Sequence, residues 1–372
     1  MAQQLKKQFP KVSNLFAGPW SEREMGQALK ALPFVDYVCT GDIYSFLPNV
    51  VGNILDGKSE PELPPPVQVN LGGKAELPSG ALELPIPDFD DYFELKGDGL
   101  PGCFESIPME TSKGCWWAHK HHCLFCGLPG GNVQFRSKTP QQALKEFRVQ
   151  IERYSPRRIE MNDLIIDPAY FREVFPSMRE FNRNTHIFYE TKSHLRRDQL
   201  EVMVNAGVTS LQGGLESLSP STLNRMSKGV SPGQNLRFLK DCEELGIKCY
   251  WNYLHSFPLE SPDEILSAIP FIESATAEQP PATFQPVRIE RFSPYFRNPA
   301  IYDIESVVPD RSYYSLYRDV PLDIKQFAFF FEHRQRHGDS KERKIAVNRV
   351  RDALAAWTAR SQAHGRTFQS FN

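Results

Sequence analysis

Between residues 105 and 290 the chain alternates short apolar runs with longer amphipathic stretches. The runs Ile107–Glu110, Arg158–Asn162, His186–Glu190, Ser210–Gly213, Lys248–Leu254 and Phe284–Ile289 are strand-like in length and β-branched content. The stretches between them open on one repeated device, a capping residue followed by proline: Thr139-Pro140, Asp167-Pro168, Ser219-Pro220, Ser231-Pro232 and Ser261-Pro262. A side-chain oxygen at the N-cap takes an orphan amide, and proline at the next position has no amide to satisfy. Gln142 and Glu264 complete capping boxes. Six strands alternating with helices predict an α/β fold with a parallel sheet and right-handed crossovers.

The flanks read differently. Residues 1–57 alternate on a smaller scale. Val12–Ala17 is a strand, Ser21–Ala31 a helix with Ser21 as N-cap and Glu24 as its box partner, and Phe34–Cys39 a second strand that ends at Gly41-Asp42. Residues 58–90 are an extended linker, because Pro61, Pro64, Pro65, Pro66, Pro78, Pro85 and Pro87 break helices and remove strand donors. The main α/β body follows over 91–300 and a C-terminal extension over 301–372. Asp339–Ala363 in that extension is charged and helical, a surface for a peptide or simply a solvated helix.

Composition narrows the function. Lysine plus arginine is 43 and aspartate plus glutamate 45, a net charge of −2, so no global basic field draws nucleic acid. Mean hydropathy is −0.44 and no apolar run approaches the ~18 residues of a membrane span. We expect a soluble, cytoplasmic protein that binds neither nucleic acid nor membrane.

The seven cysteines are unevenly placed. Cys115, Cys123 and Cys126 stand in a C-x7-C-x2-C spacing within Cys115-Trp-Trp-Ala-His-Lys-His-His-Cys123-Leu-Phe-Cys126. Three thiolates can hold three irons of a [4Fe–4S] cube and leave the fourth open to a small molecule, whereas four would close it. Two other readings stand beside this one. His119, His121 or His122 with three cysteines would close a zinc tetrahedron. Three buried structural cysteines can also fall together by chance. An odd count in a long chain without a secretory signal speaks against a disulfide framework. Cys39, Cys103, Cys242 and Cys249 are expected to be dispensable for the metal.

The cysteine loop resembles that of radical S-adenosylmethionine (SAM) enzymes. Their common spacing is C-x3-C-x2-C, with an aromatic residue before the last cysteine that packs near the SAM adenine, as Phe125 would here. The longer first gap, with the phrases KGCWWAHKHHCLFCGL, GGLESLS and RFSPYF, is similar to a narrower group that matures ribosomally made peptides, many of them cobalamin-dependent C-methyltransferases. The likeness runs over about residues 10–330. It implies a partial (β/α)6 radical SAM barrel, preceded by an incomplete Rossmann-like, cobalamin-binding-type segment over 1–57 and followed by the partly helical extension. The plainer reading of 1–57 is a small α/β cap with no ligand. Half of such a domain is expected to bind cobalamin weakly or not at all, since the site needs strands on both sides of a switch point.

Functional residues of such barrels gather at the C-terminal ends of strands. There Asp163 is a candidate acceptor for the SAM ammonium, where the family has Gly-Gly-Glu and this chain Met-Asn-Asp; its plain alternative is a helix cap. Glu190 and Lys192, two apart on one side of a strand, are candidates for the two ends of a zwitterion. Gln212, Gly213, Glu216 and Ser217 follow the fourth strand, and paired glycines there allow close approach of a ligand. Alternation sends Asn252 and Leu254 one way and Trp251 and Tyr253 the other, with Asn252 a candidate for ribose or adenine. Tyr295 is a catalytic candidate for radical or proton handling, or an aromatic sealing the barrel. The resemblance implies three cofactor assignments: a [4Fe–4S] cluster, SAM and, where its domain allows, cobalamin. It implies generation of a 5′-deoxyadenosyl radical, C-methylation of an unactivated carbon in a precursor peptide, and an external flavodoxin- or ferredoxin-type electron donor. A cobalamin-free peptide epimerase or crosslinking enzyme and a non-enzymatic zinc-binding interaction module are the alternatives.

Overall fold

Five strands, β1 (Ser106–Met109), β2 (Arg158–Met161), β3 (His186–Thr191), β4 (Val208–Gly213) and β5 (Lys248–Tyr250), form one parallel sheet in chain order. The structure is a computed structural model that describes residues 1–40, 47–57, 81–95, 106–128, 134–276, 278–336 and 340–363. Most of the expected linker, the Gly41-Asp42 strand end and Cys103 lie outside these residues. Trp251 interrupts the expected run 248–254. Its second half is β6 (Asn252–His255), parallel to β7 (Thr283–Pro286). Glu216 bridges Tyr253 in parallel fashion, and the Leu254 amide donates to the Glu216 carbonyl at 2.8 Å, which ties β6 to the end of β4.

Four helices start where cap–proline pairs stand. With their neighbours, in chain order, the helices used below are α1 (Trp116–Lys120), α2 (Pro140–Tyr154), α3 (Arg197–Asn205), α4 (Pro220–Arg225), α5 (Pro232–Glu244), α6 (Pro262–Leu266), α7 (Ile269–Ser274) and α8 (Lys341–Ala363), of which α2, α4, α5 and α6 follow the pairs. Thr139, Ser219, Ser231 and Ser261 each accept the amide three residues on, and Gln142, Gln234 and Glu264 close boxes. Each such cap contributes about 1 kcal/mol. Asp167 departs from the pattern. It takes the Ala169 amide in a turn, and the helical segment begins at Tyr170.

Burial alternates along the strands. Ile107, Met109, Ile159, Met161, Ile187, Tyr189 and Leu211 enter one core with the covering helices. The opposite face aligns Pro108, Glu160, Phe188, Ser210 and Lys248 in one row and Glu190, Gln212 and Tyr250 in the next. A parallel sheet covered on both sides reads as continuous apolar runs. This one is covered on one side and polar on the other. The charged C-terminal helix α8 is not merely solvated. Ala346, Val347, Val350, Leu354 and Trp357 join the same core, and the Trp357 indole donates to the Glu278 carbonyl at 3.0 Å.

The chain divides into two compact units. Gly80–Leu124, Val133–Val287 and Gln335–Asn372 make the barrel unit, and Met1–Ser79, Phe125–Asn132 and Arg288–Arg334 make the other. In the second unit Leu15–Phe16 pairs in parallel with Tyr37–Val38, over a core of Met25, Leu29, Phe292, Phe327 and Phe329. Its helix runs over Arg23–Lys30. Ser21 is not the cap: it ends a preceding 3-10 turn, and its carbonyl lies against Gly26, where any Cβ would collide with it. Ile289, expected as the end of the strand Phe284–Ile289, instead lies in Ile289–Glu290, which pairs antiparallel with Phe331 and Phe330.

Candidate active site

The cysteine loop leaves the barrel immediately after β1. Its neck is closed by a short antiparallel ladder, Ser112 opposite Ser137 and Lys113 opposite Arg136. Gly114 then turns with φ +73°, so close to the Gln134 carbonyl that a side chain would not fit. Cys115 caps α1 and its carbonyl accepts the His119 amide at 2.9 Å. The two tryptophans of α1 splay at 82° and each anchors by its indole N–H. Trp116 donates to the Ile166 carbonyl and Trp117 to the Ser227 carbonyl, each at 3.1 Å.

Below this loop lies the turn Met226–Gly229. The Leu124 amide donates to the Met226 carbonyl at 3.1 Å. Lys192, past the end of β3, donates to the Lys228 carbonyl and, at 3.3 Å, to that of Gly229, with its ammonium 4.1 Å from the Trp117 ring centre. Four consecutive carbonyls of one turn therefore hold the loop or Lys192. Ser227 (φ +58°) and Gly229 (φ +64°) supply the left-handed backbone that turns them the same way. The Gly229 Cα abuts the Trp117 ring, where a Cβ would collide.

Charges of both signs lie near Cys123. Lys228 pairs with Glu216 at 2.9 Å. Glu190 is half-buried, and burial, then the nearby Glu216, raises its pKa. Burial, then Lys228, lowers Lys192 to about 8. Burial also raises the Cys123 thiol against the pull of Lys228 and Lys192.

Cys115, Cys123 and Cys126 are half-buried and form no disulfide. The unit boundary falls between Leu124 and Phe125, inside the C-x2-C pair. Phe125 and Cys126 are half-buried, and the following Gly127 donates to Glu290 at 2.7 Å. Of the histidines in this loop, His121 stacks on Trp117 at 4.2 Å and His119 is exposed, and no three His, Cys, Asp or Glu side chains among the described residues are grouped to hold a single metal ion. A single ion needs all ligands in one coordination sphere, whereas a four-iron cube takes each thiolate at its own corner. Cys115 and Cys123, with Lys192 and Lys228 near enough to act on their charge, fit two corners of such a cube.

The remaining candidates divide. Glu190 and Gln212 lie side by side on the open face of the sheet, and Asn252 and Leu254 are half-buried on β6 while Trp251 and Tyr253 enter the core, as alternation predicts. Asn252 accepts from Thr283 at 2.8 Å. Others face inward. Asp163 is wholly buried and takes the Thr111 amide at 2.6 Å together with the Thr111 hydroxyl. Gly213 does not make room for a ligand: a Cβ there would lie 2.6 Å from Leu215 and 2.9 Å from Phe238. The buried Ser217 hydroxyl accepts the Ser219 amide at 3.1 Å. Glu190 and Lys192 do not form a zwitterion clamp, because Lys192 is tied to backbone carbonyls. Tyr295 is fully buried and meets Tyr302 edge-on at 4.8 Å, within the second unit.

The sequence reading missed Trp117, Lys228 and Asn235. Asn235, buried within α5, donates to the Leu215 and Ser217 carbonyls at 3.3 and 3.0 Å and accepts from Ser193 at 2.6 Å, joining the ends of β3 and β4. A polar residue on the apolar face of a helix was the available signal.

Residues 109–272 match the Radical SAM superfamily. Over that stretch the chain is similar to radical SAM domains. It is 26% identical over 198 residues to an uncharacterized methyltransferase of Pyrococcus horikoshii, covering 51% of this chain and 41% of that one. It is 27% identical over 154 residues to the bacteriochlorophyllide d C-12(1)-methyltransferase of Chlorobaculum tepidum, covering 40% and 32%. Among solved structures, the cobalamin-dependent SAM radical enzyme OxsB with aqua-cobalamin bound superposes with a TM-score of 0.64 at 15% identity, over 89% of this chain and 52% of that one. The radical SAM methyltransferase TsrM of Kitasatospora setae gives 0.55 at 12% identity, over 79% and 59%. These likenesses establish the α/β radical SAM fold. The chain spans about two fifths or less of the curated relatives' length and between half and three fifths of the two structural ones.

Proposed function

We propose that this chain is a radical SAM enzyme of the methyltransferase type, acting on an unactivated carbon of a ribosomally synthesised peptide. The observation that carries the enzymatic part is the trio of cysteines, none in a disulfide, on a neck-closed loop after the first strand of a radical SAM fold. Cys115, Cys123 and Cys126 would hold the [4Fe–4S] cluster. Glu190, with Gln212 beside it, would accept the SAM ammonium, and Asn252 would receive its ribose or adenine. When bound, the cluster and SAM supply one-electron chemistry able to break an unactivated C–H bond. The chain's own part is to hold the thiols, orient the zwitterion and line the route to it with the polar face of the sheet. The peptide substrate rests on the motif resemblance in the cysteine loop.

Cobalamin is the methyl carrier this reading would use. In residues 1–57 the described strands are two residues each and no histidine occurs, so these residues offer no imidazole to a corrinoid. We expect weak retention of cobalamin by this chain.

The test is anaerobic reconstitution followed by reduction with SAM. About four irons per chain and release of 5′-deoxyadenosine are expected. Replacement of Cys115, Cys123 or Cys126 by alanine abolishes both, and replacement of Cys39, Cys242 or Cys249 abolishes neither. Stoichiometric zinc without iron uptake overturns the reading. A 14-Da mass gain on a co-encoded peptide supports the methyltransferase, whereas epimerisation or a crosslink without added mass favours the cobalamin-free alternative.

A further inference from the structure

The Met226–Gly229 turn does more than follow α4. Its four carbonyls receive, in order, the Leu124 amide, the Trp117 indole and, twice, the Lys192 ammonium. Leu124 directly follows Cys123, and Trp117 is two residues past Cys115, so the turn grips the loop beside both cysteines. Lys192 closes the grip from the barrel side. It is 7% exposed. Lys228 is balanced by Glu216, but Lys192 makes no ion pair among the described residues. Its charge is set against carbonyl dipoles and the face of Trp117, and it acts on the thiolate forms of both Cys115 and Cys123. A buried, unneutralised ammonium so placed has a consequence for any anionic group on those thiols. Cluster potentials respond to net charge, hydrogen bonding and exposure around the sulfurs, and the groups behind the ligands fix their orientation.

We propose that Lys192 is a positioning residue for the cysteine loop: it pins the Met226–Gly229 turn beneath Trp117, so fixing where Cys115 and Cys123 sit, and its positive charge makes a cluster held there easier to reduce. The charge half of this proposal rests on the cluster assigned above; the pinning half does not.

The experiment therefore has two readouts. In the metal-free protein, hydrogen exchange at the Leu124 amide reports the grip. Lys192→Met and Gly229→Ala should each speed it at least about tenfold, Gly229→Ala because a Cβ collides with Trp117, and Lys192→Arg should restore the wild-type rate. In the reconstituted protein, redox titration reports the charge. Lys192→Met should lower the reduced-to-oxidised ratio about tenfold at the wild-type midpoint, a shift of about −59 mV for one electron, while Lys192→Arg stays near wild type. Wild-type exchange in Lys192→Met overturns the pinning, and full iron content with an unchanged midpoint overturns the charge effect. A wild-type protein that takes up no iron overturns the cluster and the charge effect together, and the exchange rates alone then decide the pinning.

Discussion

Asp163 and Glu190 follow or end neighbouring strands of one sheet, and the structure uses the two carboxylates in opposite ways. Asp163 is walled in. Thr111 gives it both amide and hydroxyl, and through that residue it fastens the end of β2 to the start of the cysteine loop. Glu190 stays on the open face beside Gln212, no described residue donates a hydrogen bond to its carboxylate, and the charge that acts on it is that of another carboxylate, Glu216. Position at the rim does not separate the two. The supply of donors does: a carboxylate already given its donors holds the fold, and one left without them can take a cation from outside.

Exchanging their roles is the direct way to break this comparison. Asp163→Ala leaves a buried amide and hydroxyl of Thr111 without their acceptor, and should cost about 3–5 kcal/mol of stability. SAM affinity of the folded fraction should be unchanged. Denaturant unfolding beside SAM titration checks both, and a variant of normal stability that binds SAM poorly would reverse the assignment. Glu190→Gln should do the opposite, leaving the unfolding midpoint alone and weakening SAM binding by about 1.5–3 kcal/mol, the loss of one charge-assisted hydrogen bond. Calorimetric titration with SAM measures it. Gly213→Ala tests the reading that this glycine faces the core. It should destabilise by about 1–3 kcal/mol through overpacking while sparing SAM affinity.

The same carboxylate also predicts a dependence on pH. Burial pushes the Asp163 carboxyl from 3.8 up to about 7, outweighing the donors from Thr111 and Ser112. A carboxyl whose pKa is raised by folding favours the folded state most at low pH, below its unfolded value. That contribution is lost as pH rises through the folded value. Stability should therefore fall between about pH 4 and pH 7, and Asp163→Asn should flatten that slope. A slope unchanged in Asp163→Asn assigns it to another group.

What could be read in the chain followed the range of each signal. The cap–proline pairs act within four residues, and Thr139, Ser219, Ser231 and Ser261 cap as expected. Strand alternation also acts locally and put Trp251 and Tyr253 inside. The failures are tertiary. Ser21 looks like a cap by type but lies under Gly26. Gly213 looks like space for a ligand until Leu215 and Phe238 close on it, and Ile289–Glu290 finds its partner some forty residues on. In the site, the cysteines were legible because spacing alone marks them. Lys192 was noticed for its charge and misread for its role, since nothing near it in sequence reveals the carbonyls of Lys228 and Gly229.

The gap between the first two cysteines is four residues longer than the spacing common among radical SAM enzymes, close to one turn of helix at 3.6 residues. The structure lays helix α1 in that interval, and α1 carries Trp117. The added length is thus not slack between two fixed points. It works as a strut, whose indole reaches the turn at Ser227 and whose ring gives Lys192 a surface to rest on. Trimming the loop to the shorter spacing would remove the strut together with the slack. A transplant of the three cysteines onto another barrel would then need the Met226–Gly229 turn and Lys192 to travel with them.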